Sequence, residues 1–339
     1  MQINKLFAFF FFTFKMGIRN KEWAERFNYK WHSNPSTPDA WAFFNKAIIR
    51  PMQQKAWQII VGDVDGDETW ARQVLKDTGH YKDTQGLTQY NDNPAMVSGR
   101  AVQVYTDMLL VDDASPNEAY GEAINVLQGF QGGHWRDKDK DTAIINNRER
   151  IYFDAEGKRS KEPIQSEFAL VCENAASGIR EAAVGANRII GEIDLFGNIP
   201  HCELPYFGKP DYNEGRIELK TQWDTSADTD KPRANSLPKA IKAPHMTQLA
   251  GYWHLSGLIP KIVYANRLGY VVLEPTEDEL RYALHEISMA CRRREKLMKI
   301  ADDAVDLLNL TDPHFADGFV WRDLSPSILM QAKELFGRT

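Results

Sequence analysis

The sequence predicts an α/β fold: a mixed central β-sheet flanked by helices, with a helical N-terminal part. Three observations predict it. Apolar residues recur at helical spacing through residues 38–60 and 93–113. From about residue 150 they gather instead into short runs bounded by Gly, Pro and Asn. One helical pattern (244–257) then falls between strand-like runs, and a long one follows from Thr276.

The chain opens on "MQINKLFAFFFFTFKMG". Its apolar run, Leu6 to Phe14, is too short to span a bilayer, and no small-residue cleavage site follows. Residues 1–15 are expected to be a dispensable leader upstream of a second start at Met16. A helical region (16–92), a core (93–309) and a tail with a short helix (310–339) follow. No stretch reads as a transmembrane helix, so no membrane partner is expected.

In the helical region, Trp41, Phe44, Ile48 and Ile49 mark a helix that Pro51 interrupts. "GDVDGDETW" (62–70) resembles a calcium loop but fails as one. Counted from Asp63, the sixth and twelfth positions hold Glu68 and Val74, not Gly and Glu. It reads as an acidic turn feeding a helix. Val102, Tyr105, Met108 and Leu109 predict a helix over 93–113. Ser115, Pro116 and Glu118 cap the next one.

A strand entering a hairpin at Gly157 begins the β-rich part. "IQSEFALV" (164–171) and "NRIIGEIDLF" (187–196) are read as strands, and 197–215 as a Pro/Gly/Asn loop. "RIELKTQW" (216–223) is a further strand. Two short strands surround a turn at Arg267 to Gly269. Thr276 and Glu279 form a capping box that opens a helix to about residue 309.

Length and charge set bounds. The 339 residues suit one large domain or two ordinary ones. A composition 43% hydrophobic and 26% charged is globular. The net charge of −6 neither advertises nor excludes a nucleic-acid binder, because binding depends on where charge sits. Cys172, Cys202 and Cys291 lie far apart and include no CxxC, so no disulfide framework or four-cysteine cluster is expected. A reducing cytoplasm is the natural setting.

The chemistry concentrates around residues 187–257. In a strand, Glu218 and Lys220 share one face, while Ile217 and Leu219 turn to the other. Asp194 ends an apolar run 24 positions before Glu218. If those segments are neighbours, the two carboxylates meet, and they repel unless a cation sits between them. Hard oxygen ligands suit Mg2+ or Mn2+. Lys220 can orient or deprotonate a water, or neutralise charge in a transition state.

Three motifs here resemble the PD-(D/E)xK nuclease superfamily, in its RecB-like exonuclease branch, which includes Cas4-type and mitochondrial genome-maintenance exonucleases. "GEIDLFG" resembles the branch's G-x-I-D strand, which makes Asp194 the metal-binding aspartate. "IELKT" resembles its [DE]-x-K-T strand, implying Glu218 and the Leu219 carbonyl as metal ligands and Lys220 as the catalytic lysine. "QLAGY" resembles its Q-x-x-x-Y helix. Gln248 and Tyr252 share one helix face at i, i+4, and the resemblance implies that they position the lysine and the DNA backbone.

The branch's helical G-x-x-x-H-x-x-x-E is altered. Gly99 is kept, Gln103 stands at the His position and Asp107 at the Glu position; either is a candidate metal ligand. Glu167 matches a carboxylate often seen on the first strand. No iron–sulfur cluster is implied.

The resemblance thus implies a restriction-endonuclease-like fold. It also implies a Mg2+- or Mn2+-dependent DNA exonuclease acting on single- or double-stranded ends in replication, recombination or genome turnover. Such proteins are often phage-encoded, which would place this one in the host cytoplasm, with a single-strand annealing or replication protein as a partner. The alternatives are an endonuclease or nickase of the same superfamily, or a non-catalytic DNA-binding module on a nuclease fold. Lys231, Arg233, Lys239 and Lys242 are candidate phosphate contacts on the loop after the ExK strand. "CRRREKLMK" (291–299) adds Arg292, Arg293, Arg294, Lys296 and Lys299, fanned around a helix, and Trp223 is a candidate stacking residue.

Overall fold

The computed structural model describes residues 21–33, 37–78, 80–82, 88–90, 94–129, 136–137, 142–143, 152–153, 159–160, 165–222, 236–315, 321 and 326–337. The expected leader, Trp223, Lys231 and Arg233 lie outside these residues.

The elements run in this order. Helix α1 (Glu22–Glu25) and α2 (Asp39–Phe43) lead into a π-helical turn (Phe44–Ile49), α3 (Arg50–Ile60) and α4 (Glu68–Asp77). Strands β1 (His80–Lys82) and β2 (Thr88–Tyr90) pair before α5 (Pro94–Leu110) and α6 (Pro116–Gly129). Two short antiparallel pairs follow: β3 (Arg136–Asp137) with β4 (Thr142–Ala143), and β5 (Tyr152–Phe153) with β6 (Arg159–Ser160). Then come α7 (Gln165–Ala182), β7 (Leu195–Asn198), β8 (Pro205–Gly208), β9 (Ile217–Thr221) and α8 (Ala243–Ser256). Strands β10 (Lys261–Asn266) and β11 (Gly269–Leu273), and helices α9 (Glu277–Ile300), α10 (Ala304–Asn309) and α11 (Pro326–Leu335), complete the order.

The architecture is mixed α/β. Strands β11, β10 and β9 form a three-stranded sheet. Strand β9 runs parallel to β10, with Glu218 opposite Ile262 and Lys220 opposite Tyr264. Helix α8 supplies the crossover that a parallel pair requires. Alternation along the strands feeds two cores. Ile217, Leu219 and Val263 pack with Val102, Phe168 and Ile179 of α5 and α7. Ile262 and Tyr264 pack on the opposite face with Leu249 of α8 and Leu280 and Ile287 of α9. Each such aliphatic side chain taken fully out of water contributes about 1.5–3 kcal/mol. Helix α7 lies so close to the sheet that a Cβ on Gly178 would stand 2.5 Å from Val263 Cγ1.

Several local expectations need correction. Within the expected strand 164–171, residues 165–171 open α7 instead. The expected strand 187–196 shrinks to Leu195–Asn198, and Ile190 N–H donates to Asn213 Oδ1 (2.7 Å) instead of joining a ladder. Pro51 does not end its helix. The π turn precedes it, and the proline occupies the first turn of α3, where a missing N–H costs little. The long helix stops at Ile300. Asp303 caps a new one by accepting from Asp306 N (2.8 Å).

The two ends of the described chain share a further core. Phe43, Phe44 and Ile49 pack with Met298, Leu307, Trp321 and Phe336. His32 adds to the edge of β8: its N–H donates to Pro205 O (2.8 Å) and its carbonyl accepts from Phe207 N (2.9 Å). No helix among the described residues is long and apolar enough to cross a membrane.

Candidate active site

Strand β9 directs Glu218 and Lys220 toward α8, as strand alternation requires. Glu218 is 2% exposed. Its Oε1 accepts from Lys220 Nζ in a short ion pair and from Gln248 Nε2 at 2.7 Å. Gln248 uses its second amide hydrogen on Tyr252 OH (2.6 Å), and Tyr252 donates to the Lys209 carbonyl (3.1 Å). The i, i+4 spacing on α8 makes this chain possible.

The carboxylate that meets this group is Asp211, not Asp194. Asp211 Oδ2 accepts from Leu219 N–H at 2.8 Å. An extended residue projects its N–H and C=O from the same edge, so the Leu219 carbonyl leaves β9 on the Asp211 side. A tight reversal makes the approach: Tyr212 and Ile217 exchange both backbone hydrogen bonds, N–H to O, at 3.0 and 3.2 Å. Asn213, Glu214 and Gly215 turn the chain with φ of 49°, 57° and 97°. Asn and Gly adopt this left-handed region readily. At Glu214 it costs on the order of 1 kcal/mol. Asp194 is exposed and takes no part in the described bonds of the cluster.

The cluster extends to α5. A Cβ on Gly99 would stand 3.3 Å from Thr221 Oγ1, so the helix lies close along the end of β9. Gln103 and Asp107 follow one and two turns on, both half-buried. Asp107 Oδ1 accepts from Tyr212 OH (2.8 Å), next in the chain to Asp211. Glu192, paired with Lys209, lies in the field of both Asp107 and Asp211.

Electrostatics here oppose one another. Burial first, then the charge of Glu218, pushes Asp211 well above the carboxylate range. Burial also raises Glu218, and Lys220 and Gln248 only partly offset it. Burial, with Glu192 and Asp112 adding to it, raises Asp107 to about 6, although the Tyr212 hydrogen bond pulls the other way. Burial alone would lower Lys220, but Glu218 and Asp211 outweigh it and hold the ammonium above its ordinary value. When Asp107, Glu192, Asp211 and Glu218 are ionised they face Lys209 and Lys220, a formal excess of two negative charges.

Two buried side-chain polar atoms among the described residues have no hydrogen-bond partner: Glu218 Oε2 and, in the adjacent turn, Asn213 Nδ2. A buried carboxylate oxygen without a donor is costly. A divalent cation would satisfy it and balance the excess charge. The residues therefore fit a hard cation such as Mg2+ or Mn2+.

Around the cluster, His245 Nδ1 contacts Tyr264 OH (2.7 Å), and burial together with Lys220 and Lys242 lowers the ring to about 4. Lys239 and Lys242 are exposed beside α8. Glu167 lies in α7, and its side chain falls outside the description. Arg294 cannot meet a partner: it is 1% exposed and bound to Asp39 and Tyr29. Arg293 and Lys299 are paired with Asp39 and Glu203.

Sequence reading missed Asp211, Glu192, Lys209 and His245. For Asp211 a signal stood in the chain: a Pro210–Asp211 dipeptide seven positions before Glu218, inside a segment read as a plain loop. Comparisons with known protein families, characterised proteins and solved structures find no match.

Proposed function

We propose that this protein is a divalent-metal-dependent nuclease of the PD-(D/E)xK kind, hydrolysing DNA and acting as an exonuclease. One observation carries the reading. Buried Glu218 has an orphaned oxygen beside a second carboxylate, Asp211, and shares its face with the Lys220 ammonium. The order of helix α7, hairpin, β9, α8 and parallel β10 also accords with a restriction-endonuclease-like core.

Asp211, Glu218 and the Leu219 carbonyl would hold Mg2+ or Mn2+, with Asp107 as a further acidic group at the α5 side. When bound, the cation polarises a phosphoryl oxygen and lowers the pKa of a bound water. Gln248 and Tyr252 fix the Glu218 rotamer, so its free oxygen stays aimed into the cluster. Lys220 carries a proton in this field, so its part is electrostatic: it meets the charge that grows on the phosphoryl oxygens. Lys239 and Lys242 suit the phosphates of the approaching strand.

The test is digestion of end-labelled single- and double-stranded DNA, linear and circular, with Mg2+, Mn2+ or chelator. Wild type should degrade linear DNA from its ends only with a metal. Asp211→Asn and Lys220→Ala should be inactive and Asp194→Asn active. If Asp194→Asn is inactive and Asp211→Asn is not, the aspartate assignment is wrong. If wild type cuts neither DNA form with either metal, the nuclease reading is wrong.

A further inference from the structure

The described residues also gather a set of His and Cys side chains, distinct from the hard-oxygen cluster, with Tyr206 of β8 in the field of both Cys291 and Glu218. His32, Cys202 and Cys291 each bring a donor atom within 4.8 Å of the other two. They come from three separate places: the segment added to the edge of β8, the β7–β8 connection, and the middle of α9. His32 and Cys291 are buried, Cys202 is half-buried, and all three cysteines of the chain are free thiols.

The surroundings prepare His32 as a ligand. Glu295 Oε1 accepts from His32 Nε2 (3.0 Å) and from the N–H groups of Glu203 and Leu204 (both 2.8 Å). Two of these three partners are backbone N–H groups, which can only donate, so Oε1 is held as an acceptor. The proton therefore sits on Nε2, and Nδ1 carries the lone pair. Nδ1 has a long contact of 3.3 Å to Tyr29 OH, which Arg294 Nη1 also contacts at 3.3 Å. A histidine oriented through its other nitrogen by a carboxylate is how metal-binding imidazoles are held.

We propose that His32, Cys202 and Cys291 bind a zinc-class divalent ion that fastens the N-terminal segment and the β7–β8 hairpin to α9. The donor set decides the class: two thiolates and an imidazole suit Zn2+, whereas Mg2+ and Mn2+ take oxygen. As each S–Zn bond forms, a thiol gives its proton to solvent. Two thiolates and a 2+ ion make a locally neutral complex, which a buried site tolerates. The fourth tetrahedral position falls to water, because Glu295 is engaged on the other nitrogen of His32. A disulfide between Cys202 and Cys291 would need an oxidant, and both thiols are free. The ion also bears on the carboxylate cluster, because β8 runs directly through Lys209 into Asp211. The inference does not depend on the nuclease reading.

The experiment uses the full chain, purified reduced without chelator, and measures metal content, thiol accessibility and Co2+ spectra. Zinc should bind one to one and protect the half-buried Cys202 thiol until a chelator is added, while Cys172 and Cys291 are buried with or without it. Co2+ should give a thiolate charge-transfer band and tetrahedral d–d bands. Cys202→Ser and Cys291→Ser should lose the zinc, and Cys172→Ser, in the other core, should keep it. Glu295→Gln should weaken zinc about 10- to 100-fold. A Cys202 thiol equally reactive with and without zinc, or a wild-type mass two hydrogens short under non-reducing conditions, overturns the proposal. So does full zinc content in both the Cys202 and Cys291 variants. The wild-type measurements decide the matter even if a variant fails to fold.

Discussion

Two buried charged groups in this molecule solve the same problem in opposite ways. On α9, Arg294 donates to Asp39, Tyr29 and the Thr37 carbonyl, and Glu295 accepts from three donors. On β9, Glu218 keeps an oxygen without a donor, and Asp211 stands against it. The pKa shifts report the difference. Burial pushes Asp39 and Glu295 up, yet their partners outweigh it and both end below the ordinary range. Burial pushes Asp211 and Glu218 up, and there the partners lose. A closed network of attractions holds a fold together. A network left open and repulsive is a place where something binds.

Substitution should split the two regions cleanly. Lys220→Ala or Glu218→Gln should reduce DNA hydrolysis by roughly 10³-fold, about 4 kcal/mol of transition-state stabilisation, and Glu218→Gln, which removes the repulsion with Asp211, should lose little stability. Arg294→Ala should do the reverse. It removes the buried bonds to Asp39, Tyr29 and the Thr37 carbonyl, leaves Asp39 only its more exposed pair with Arg293, and should cost about 3–5 kcal/mol of stability in urea unfolding. Activity per folded molecule should survive. A Glu218→Gln protein that unfolds as easily as Arg294→Ala would show that the carboxylate cluster is structural after all.

A smaller effect separates the regions by ligand. Mg2+ or Mn2+ at about a hundred times its dissociation constant should stabilise wild type by about 2.7 kcal/mol. The gain should vanish in Glu218→Gln and persist in the Arg294 variant. Equal stabilisation of wild type and Glu218→Gln would place the cation elsewhere.

The two regions also differ in how far the sequence discloses them. Strand period is local, so the shared face of Glu218 and Lys220 was legible from four residues. The i, i+4 pair Gln248 and Tyr252 was legible for the same reason, and so were the capping boxes at Ser115 and Thr276, both of which form. Asp211 was not. It reaches Glu218 through three successive left-handed residues, and its cue, the Pro210–Asp211 dipeptide, lay in a segment that reads as a loop. Residues 164–171 were misread because a short apolar run fits strand and helix alike. The helical stripe shows only when Phe168, Val171, Cys172, Ala175 and Ile179 are taken together. The Arg294 knot was the least legible. Its partners lie more than 250 positions away, and the basic run read as a surface.

The finest test uses pH. Asp107 is raised from 3.8 to about 6, chiefly by burial. Between those values the folded chain holds a proton that the unfolded chain has released. Wild-type stability should therefore fall as pH rises through that window and stay lowered above it. Asp107→Asn removes the titrating group and keeps an oxygen to accept from Tyr212 OH. Each pKa unit is about 1.4 kcal/mol, and partial solvent access reduces the whole to about 1 kcal/mol. The variant should thus gain about that much stability at pH 7 relative to wild type, and lose most of the advantage near pH 4. Asp39 and Glu295 oppose this trend on the acid side. Their depressed values add stability that is present above the unfolded carboxylate range and lost as pH falls through the folded one. Urea midpoints of wild type and Asp107→Asn, measured at both pH values, cancel that shared background. If the difference between the two proteins does not change with pH, Asp107 is not held at a cost in the folded state. It would then belong with the closed network of α9 and not with the open cluster of β9.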